Sequence, residues 1–161
     1  MGTPLVLFGY GNPSRGDDAL GPLLLARAEA WAKDRPGVTL TLVEDFQLQI
    51  EHAEDLREQA GALFLDADAS GGSPFHFRRA LPARDASYTT HELSPEALLH
   101  VFSIITGQAP PPAFVLSVRG SGFALGEPLT LAATENLDAA WPFLERLLAH
   151  GRPELWEERI S

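Results

Sequence analysis

The run from Pro4 to Tyr10, PLVLFGY, places apolar side chains at successive positions rather than alternate ones. A strand written this way has no face to give to water, so it belongs in a sheet covered on both sides, and usually in a parallel one. Gly9 and Gly11 end the run. ALGPLLLARAEAWAK, from Ala19 to Lys33, then spaces Leu and Ala at helical intervals, with Pro22 tolerated near the start. A buried strand, a glycine-rich acidic loop and a helix in succession begin an α/β fold.

The alternation continues along the chain. Val38 to Val43, VTLTLV, is β-branched and alternating, as a second strand should be. FQLQIEHAEDLREQAG has apolar positions at Leu48, Ile50, Ala53 and Leu56, which predicts a second helix stopping at Gly61. ALFLDADASGG forms a third buried strand that ends on Asp66. The stretch from Phe75 to Leu81 is a more exposed strand, because charge enters at Arg78 and Arg79. SPEALLHVFSIITG starts with Ser94 as N-cap, Pro95 at the first helical position and Glu96 nearby, and closes at Gly107. AFVLSVRG is a fifth strand, and LTLAATENLDAAWPFLERLLAH a long amphipathic helix with a kink expected at Pro142. The tail GRPELWEERIS, about residues 151–161, is polar and expected to pack loosely. The sum is a single domain over residues 1–161: a three-layer α/β/α sandwich around a mostly parallel five-stranded sheet.

Composition narrows the chemistry. The 161 residues are 45% apolar, enough for one core. A formal charge of −10, from 12 basic and 22 acidic side chains, repels phosphate backbones and anionic lipid, so neither nucleic acid nor a membrane surface is an expected partner. There is no cysteine, so a metal here would be held by oxygen and imidazole. MGTPLVLFGYG lacks the basic region and long apolar stretch of a signal peptide, and no run approaches the ~18 apolar residues of a membrane span; a cytoplasmic protein is expected. A monomer is compatible with the acidic surface and single-domain size.

In open α/β sheets, sites form at the carboxyl ends of the strands. Asp17 and Asp18 follow the first strand there, and Asp66 and Asp68 close the third; His91, in YTTHELSP, immediately precedes the Ser94 helix. Carboxylate, carboxylate and imidazole from three loops suit a divalent ion such as nickel or zinc, and with it metal-assisted hydrolysis. A cation would also relieve the repulsion between adjacent aspartates. Plainer roles fit the same residues. Asp17 could cap a helix, with Asp18 as a first-turn acid; Asp66 and Asp68 could be turn residues; His91, like His52, His76, His100 and His150, could be a surface or internally satisfied histidine. Arg119 to Phe123, RGSGF, is a simple loop or one wall of a cleft. GYGNPS lacks the third glycine of a dinucleotide fingerprint, and the chain has no phosphate-loop Lys-Ser or Lys-Thr, no G-x-S-x-G elbow and no H-E-x-x-H helix.

Taken in order, GYGNPSRGDDALG after a buried strand, FLDADASGG closing another, and YTTHELSP before a helix resemble the hydrogenase maturation endopeptidases. The resemblance runs from about Leu5 to the last long helix. It implies an endopeptidase, of the aspartic type in the family's filing, that removes a C-terminal extension from the precursor of a [NiFe]-hydrogenase large subunit after nickel insertion. It places the family's nickel-contacting acid on Asp18, its acid at the end of the third strand on Asp66, and its histidine on His91. The nickel so implied is that of the precursor, with zinc or cadmium as surrogates, and not a permanent cofactor. Many members show Asp-Gly-Gly after the second strand, where this chain has Glu44-Asp45-Phe46-Gln47-Leu48-Gln49. NPSRGDDALGP, FQLQIEHAEDL and RGSGFALGEPL look most like the branch serving NAD-linked bidirectional hydrogenases. The competing readings are a non-catalytic, nickel-dependent binder or chaperone of the precursor, and a general metallopeptidase or amidase.

Overall fold

The computed structural model describes residues 2–84 and 93–161. Five strands form one sheet: β1 (Pro4–Tyr10), β2 (Thr39–Asp45), β3 (Gly61–Asp68), β4 (Phe75–Ala80) and β5 (Ala113–Arg119), in the order β2-β1-β3-β5-β4. β1 pairs parallel to β2 and β3, and β3 parallel to β5; only β4 runs antiparallel, at the edge beyond β5. Among the described residues three α-helices connect them: α1 (Leu20–Ala32), α2 (Pro95–Thr106) and α3 (Leu131–His150).

Successive strand residues point to opposite faces, and both faces are apolar. Leu5, Leu7, Leu63, Leu65 and Leu116 enter a core shared with α1 and α3; Val6, Phe8, Ala62, Phe64 and Val115 enter a second core shared with α2. In that second core the Phe8 and Phe64 rings stack 4.9 Å apart. The three-layer sandwich expected from the doubly apolar strands is therefore the observed one.

Several local expectations hold in detail. The Ser94 hydroxyl accepts the Ala97 amide at 3.0 Å, Pro95 opens α2, and Gly107 closes it at φ 69°. α3 runs through Pro142 as one helix. Others are corrected. The predicted second α-helix is a 3-10 helix limited to Ile50–Leu56, because Leu48, Ala53 and Leu56 suffice to bury its inner side and the chain turns at once into β3. Gly61 is thus the first residue of β3 and not a helix stop. β3 extends to Asp68, so Asp66 lies within the strand. The tail is not loosely packed: Pro153–Arg159 forms a 3-10 helix, Trp156 is buried edge-on against Phe114 with centroids 5.6 Å apart, and the Ser161 amide donates to the Phe77 carbonyl at 3.0 Å. One tryptophan among polar neighbours is enough to fasten that segment to the core.

Candidate active site at the carboxyl edge of the sheet

The parallel strands end together, and four loops, 11–15, 46–49, 69–74 and 120–130, meet along their carboxyl edge. The first carries the paired aspartates. Gly11 takes φ 145°, and a Cβ there would sit 2.0 Å from the Asp18 carbonyl oxygen, so the loop can fold back on itself only with glycine at this position. Fold-back brings the Asn12 amide onto the Asp18 carboxylate at 2.6 Å.

Asp17 and Asp18 lie on a 3-10 turn, Gly16–Ala19, where neighbouring side chains diverge by about 120°. Asp17 turns inward and is fully buried. It accepts the Ser121 amide (2.7 Å), the Gly122 amide (3.0 Å), the Thr130 amide (2.8 Å) and the Thr130 hydroxyl (2.8 Å). Burial opposes its charge, yet these donors outweigh it and hold its pKa below the ordinary carboxylate value. Asp17 does not cap its own helix; it fastens the 120–130 loop, RGSGF included, to the loop bearing Asp18. Backbone hydrogen bonds from Asp17 to Gly122, Gly16 to Glu127 and Gly126 to Ser14 complete the joint.

Asp18 is half-buried on the other side of the turn, where its charge acts on Asp66. Asp66 points to the α2 face of the sheet. Burial is the main cause that lifts its pKa to about 7, helped by the charges of Asp18 and Asp68; the Ala67 amide, 2.8 Å from Oδ1, and the Tyr10 hydroxyl pull in the opposite direction. Tyr10, the last residue of β1, faces the same carboxyl. Its own pKa is well above the ordinary phenol value, through burial first and then the charge and hydrogen bond of Asp66. Sequence reasoning passed over Tyr10, although a tyrosine closing an apolar strand immediately before a glycine loop, in phase with Val6 and Phe8, was a usable signal.

Asp68 is otherwise engaged. Its Oδ2 lies 2.9 Å from His76 Nε2 and its Oδ1 accepts the Ser70 amide at 3.0 Å. Burial works against its charge, but His76 and Ser70 keep its pKa below the usual value. His52 is likewise satisfied, with Nδ1 accepting the Gln49 amide at 2.9 Å and Nε2 3.2 Å from Asp45 Oδ2. Arg78 and Glu96 form an ion pair between β4 and the first turn of α2. Of the three candidate ligands, Asp18 and Asp66 lie near enough for the charge of one to act on the other; His91 lies outside the described residues. Among the described residues no three of His, Asp and Glu converge as a metal-binding set, and no helix is long and apolar enough to cross a membrane.

No protein-family model matches the chain, and no curated protein matches it in sequence. Solved structures do. The [NiFe] hydrogenase maturation protease HycI from Thermococcus kodakarensis KOD1 superposes with a TM-score of 0.69 at 22% identity, over 91% of this chain and 93% of that one. The hydrogenase maturating endopeptidase HybD from E. coli gives 0.66 at 17% identity, over 92% and 94%. An endopeptidase from Escherichia coli gives 0.70 at 18% identity, over 93% and 95%. The fold is that of the hydrogenase maturation proteases. Likeness at this level of identity concerns the fold, over nine-tenths or more of the chain.

Proposed function

We propose that the protein is an endopeptidase that removes the C-terminal extension of a [NiFe]-hydrogenase large-subunit precursor after nickel insertion, acting through Asp18, Asp66 and His91. The observation that carries this reading is Asp66, with a pKa near 7 and within reach of the Asp18 charge, at the open edge of a fold shared with hydrogenase maturation proteases. A carboxyl that titrates at neutral pH can take a proton from water and return it to a leaving amine. Hydrolysis then needs a water oxygen to join the scissile carbonyl carbon, the C–N bond to break, and the proton to pass to the new amine. The nickel in this scheme is part of the substrate. Asp18 and His91 would contact it through oxygen and imidazole, which suit nickel and also zinc or cadmium as surrogates. The wording of residues 12–22, 46–56 and 119–129 supports a substrate from the NAD-linked bidirectional class, and the acidic surface and single-domain size are compatible with a cytoplasmic monomer.

The test is an intact-mass assay on a co-expressed large-subunit precursor, with and without nickel. The expected outcome is nickel-dependent loss of the C-terminal tail by wild type and no loss with Asp18→Asn or His91→Ala. Unchanged cleavage by both variants overturns the site assignment. Stable, nickel-dependent co-elution with no mass change would make the protein a binder of the precursor instead.

A further inference from the structure

On a chain with a formal charge of −10, the end of α3 and the segment after it gather arginine. Arg146, Arg152 and Arg159 line one cavity of about 200 Å³, with His150 beside them and Glu158 as the only acid in its wall among the described residues. The rest of the lining is apolar: Leu147, Leu155 and Trp156. Trp156 is 2% exposed, and its buried indole N–H has no hydrogen-bond partner among the described residues. The wall therefore contains a donor that the fold itself does not use.

The cavity lies at the opposite end of the sheet from Asp18 and Asp66. Pro153 sits against Gly61, the first residue of β3, where a Cβ would come within 2.4 Å of the proline ring, and Trp156 packs on Phe114, the second residue of β5. A seven-residue strand such as β5 spans about 20 Å, so a molecule held here is remote from the carboxyl edge.

Basic side chains near a helix C-terminus have a plainer use, because they offset the partial negative charge of about half a unit found there. Three arginines exceed that need. Set against Glu158 they leave the wall with a charge of +2, of which the helix end cancels about half a unit. Elsewhere Arg27, Arg57, Arg78 and Arg79 are each taken up by a carboxylate. Here Arg152 lies 3.5 Å from Glu154 with both side chains more than 60% exposed, a contact of little weight, and among the described residues Arg146 and Arg159 have no ion-pair partner.

We propose that this cavity binds a compact organic acid, its carboxylate held by Arg146 and Arg159 and its apolar body, the size of a single ring, lying against Leu147, Leu155 and Trp156. The guanidinium fork matches a carboxylate. The volume is below the roughly 300–1,000 Å³ of sites that take drug-sized molecules, which leaves room for one ring and none for a nucleotide. Such a ligand would bridge α3 and the Pro153–Arg159 helix and stabilise the folded chain by mass action. The site is independent of the endopeptidase reading and stands or falls without it.

The experiment titrates the whole chain with phenylacetate, followed by calorimetry, thermal melts and the NMR resonance of the Trp156 indole N–H. 2-Phenylethanol supplies the ring without the charge, and inorganic phosphate the charge without the ring. The expected result is saturable binding of one phenylacetate per chain, a raised Tm and a shifted indole resonance, with 2-phenylethanol and phosphate each weaker by about tenfold or more. Arg146→Ala/Arg159→Ala should lose affinity by about tenfold or more, Arg146→Lys/Arg159→Lys should retain part of it, and Arg57→Ala, outside the cavity, should match wild type. Arg146 and Arg159 are exposed, so unchanged urea midpoints separate a binding defect from a folding one. Absence of saturable binding up to about 10 mM phenylacetate, or undiminished binding by Arg146→Ala/Arg159→Ala, overturns the site. Equal affinity for phosphate or for 2-phenylethanol overturns the assignment of an organic acid.

Discussion

Asp17 offers a direct measure of how the candidate site is held. Its carboxylate is buried and takes hydrogen bonds from three backbone amides and one hydroxyl, at 2.7 to 3.0 Å. Asp17→Ala leaves all four donors facing a space the size of the lost carboxylate. A buried donor without a partner costs about 1–3 kcal/mol, and water entering the vacated space recovers part of that, so the expected loss is about 3–5 kcal/mol. Asp17→Asn keeps the shape and one oxygen. With that oxygen placed where Oδ2 serves Ser121, Gly122 and the Thr130 hydroxyl, the new NH₂ group meets the Thr130 amide donor to donor, for a smaller loss of about 1–3 kcal/mol. The damage reaches α3 as well, because the Thr130 hydroxyl that donates to Asp17 also accepts the Ala133 amide and caps that helix. Against a total stability of about 5–15 kcal/mol, the alanine variant should stand close to unfolding.

The assay is urea denaturation followed by tryptophan fluorescence, at pH 7 and again in acid. The pH dependence has a defined sign. In the folded protein Asp17 has a lowered pKa, so its contribution is fully present above the unfolded-state value of about 3.9 and disappears as pH falls through the lower folded value. The gap between wild type and Asp17→Ala should therefore narrow below about pH 4. A gap under about 1 kcal/mol at pH 7, or one that widens in acid, would refute the claim that this carboxylate carries the joint between the two loops.

Asp66 should behave in the opposite sense. Its folded pKa of about 7 lies above the unfolded value, so the protein alone loses stability as pH rises from about 4 through 7; Asp66→Asn should be more stable than wild type by about 2–4 kcal/mol at pH 8, with the difference vanishing near pH 4 in thermal melts. Tyr10→Phe removes a donor to that carboxylate, and the Asp66 carboxyl carbon should then titrate at a still higher pH by NMR; an unchanged or lower midpoint contradicts the contact. Trp156→Ala should cost about 3–5 kcal/mol in urea denaturation, whereas a change below about 1 kcal/mol would return the C-terminal segment to the loosely packed tail that its polarity suggests.

How far the fold could be foreseen depended on whether local chemistry matched tertiary context. PLVLFGY and ALFLDAD announced buried parallel strands because a strand apolar on both faces has few other places to go, and the Ser94–Gly107 boundaries followed from capping chemistry contained within the helix itself. The segment after β2 was misjudged because Leu48, Ile50, Ala53 and Leu56 fit an α-helical period equally well. Only the position of the second core shows that Ile50 faces water and that a short 3-10 helix completes the packing. Trp156 was missed for a related reason: one anchor among charged neighbours has no periodicity, and its partner Phe114 lies on a strand 42 positions earlier in the chain (156 minus 114). At the site, Asp18 and Asp66 were legible as acids near the strand ends, while Tyr10, which faces Asp66, depends on which face each strand residue takes, and the 121–130 amides that hold Asp17 come from a loop more than 100 positions away.

The adjacency of Asp17 and Asp18 then has a physical account. Two carboxylates side by side in sequence need not share a site when a 3-10 turn sends them about 120° apart, and here one is spent on architecture while the other stays half-buried at the edge of the sheet. Asp17 keeps its charge while buried because four donors converge on it, and the same four donors tie the outer loop to the inner one. Asp18 has the Asn12 amide, and its charge reaches Asp66, whose pKa is raised first by burial and further by that second negative charge. A site strained in this direction is relieved by a cation. Replacing the repulsion between two acids with attraction to one divalent ion favours the ionised form of both, so nickel or cadmium binding should release protons at pH 6 to 7, as Asp66 gives up the proton it holds when alone. Isothermal titration of cadmium into the protein in two buffers of different ionisation enthalpy measures that release. Net uptake of protons, or binding with none exchanged, would mean that the ion sits away from Asp66.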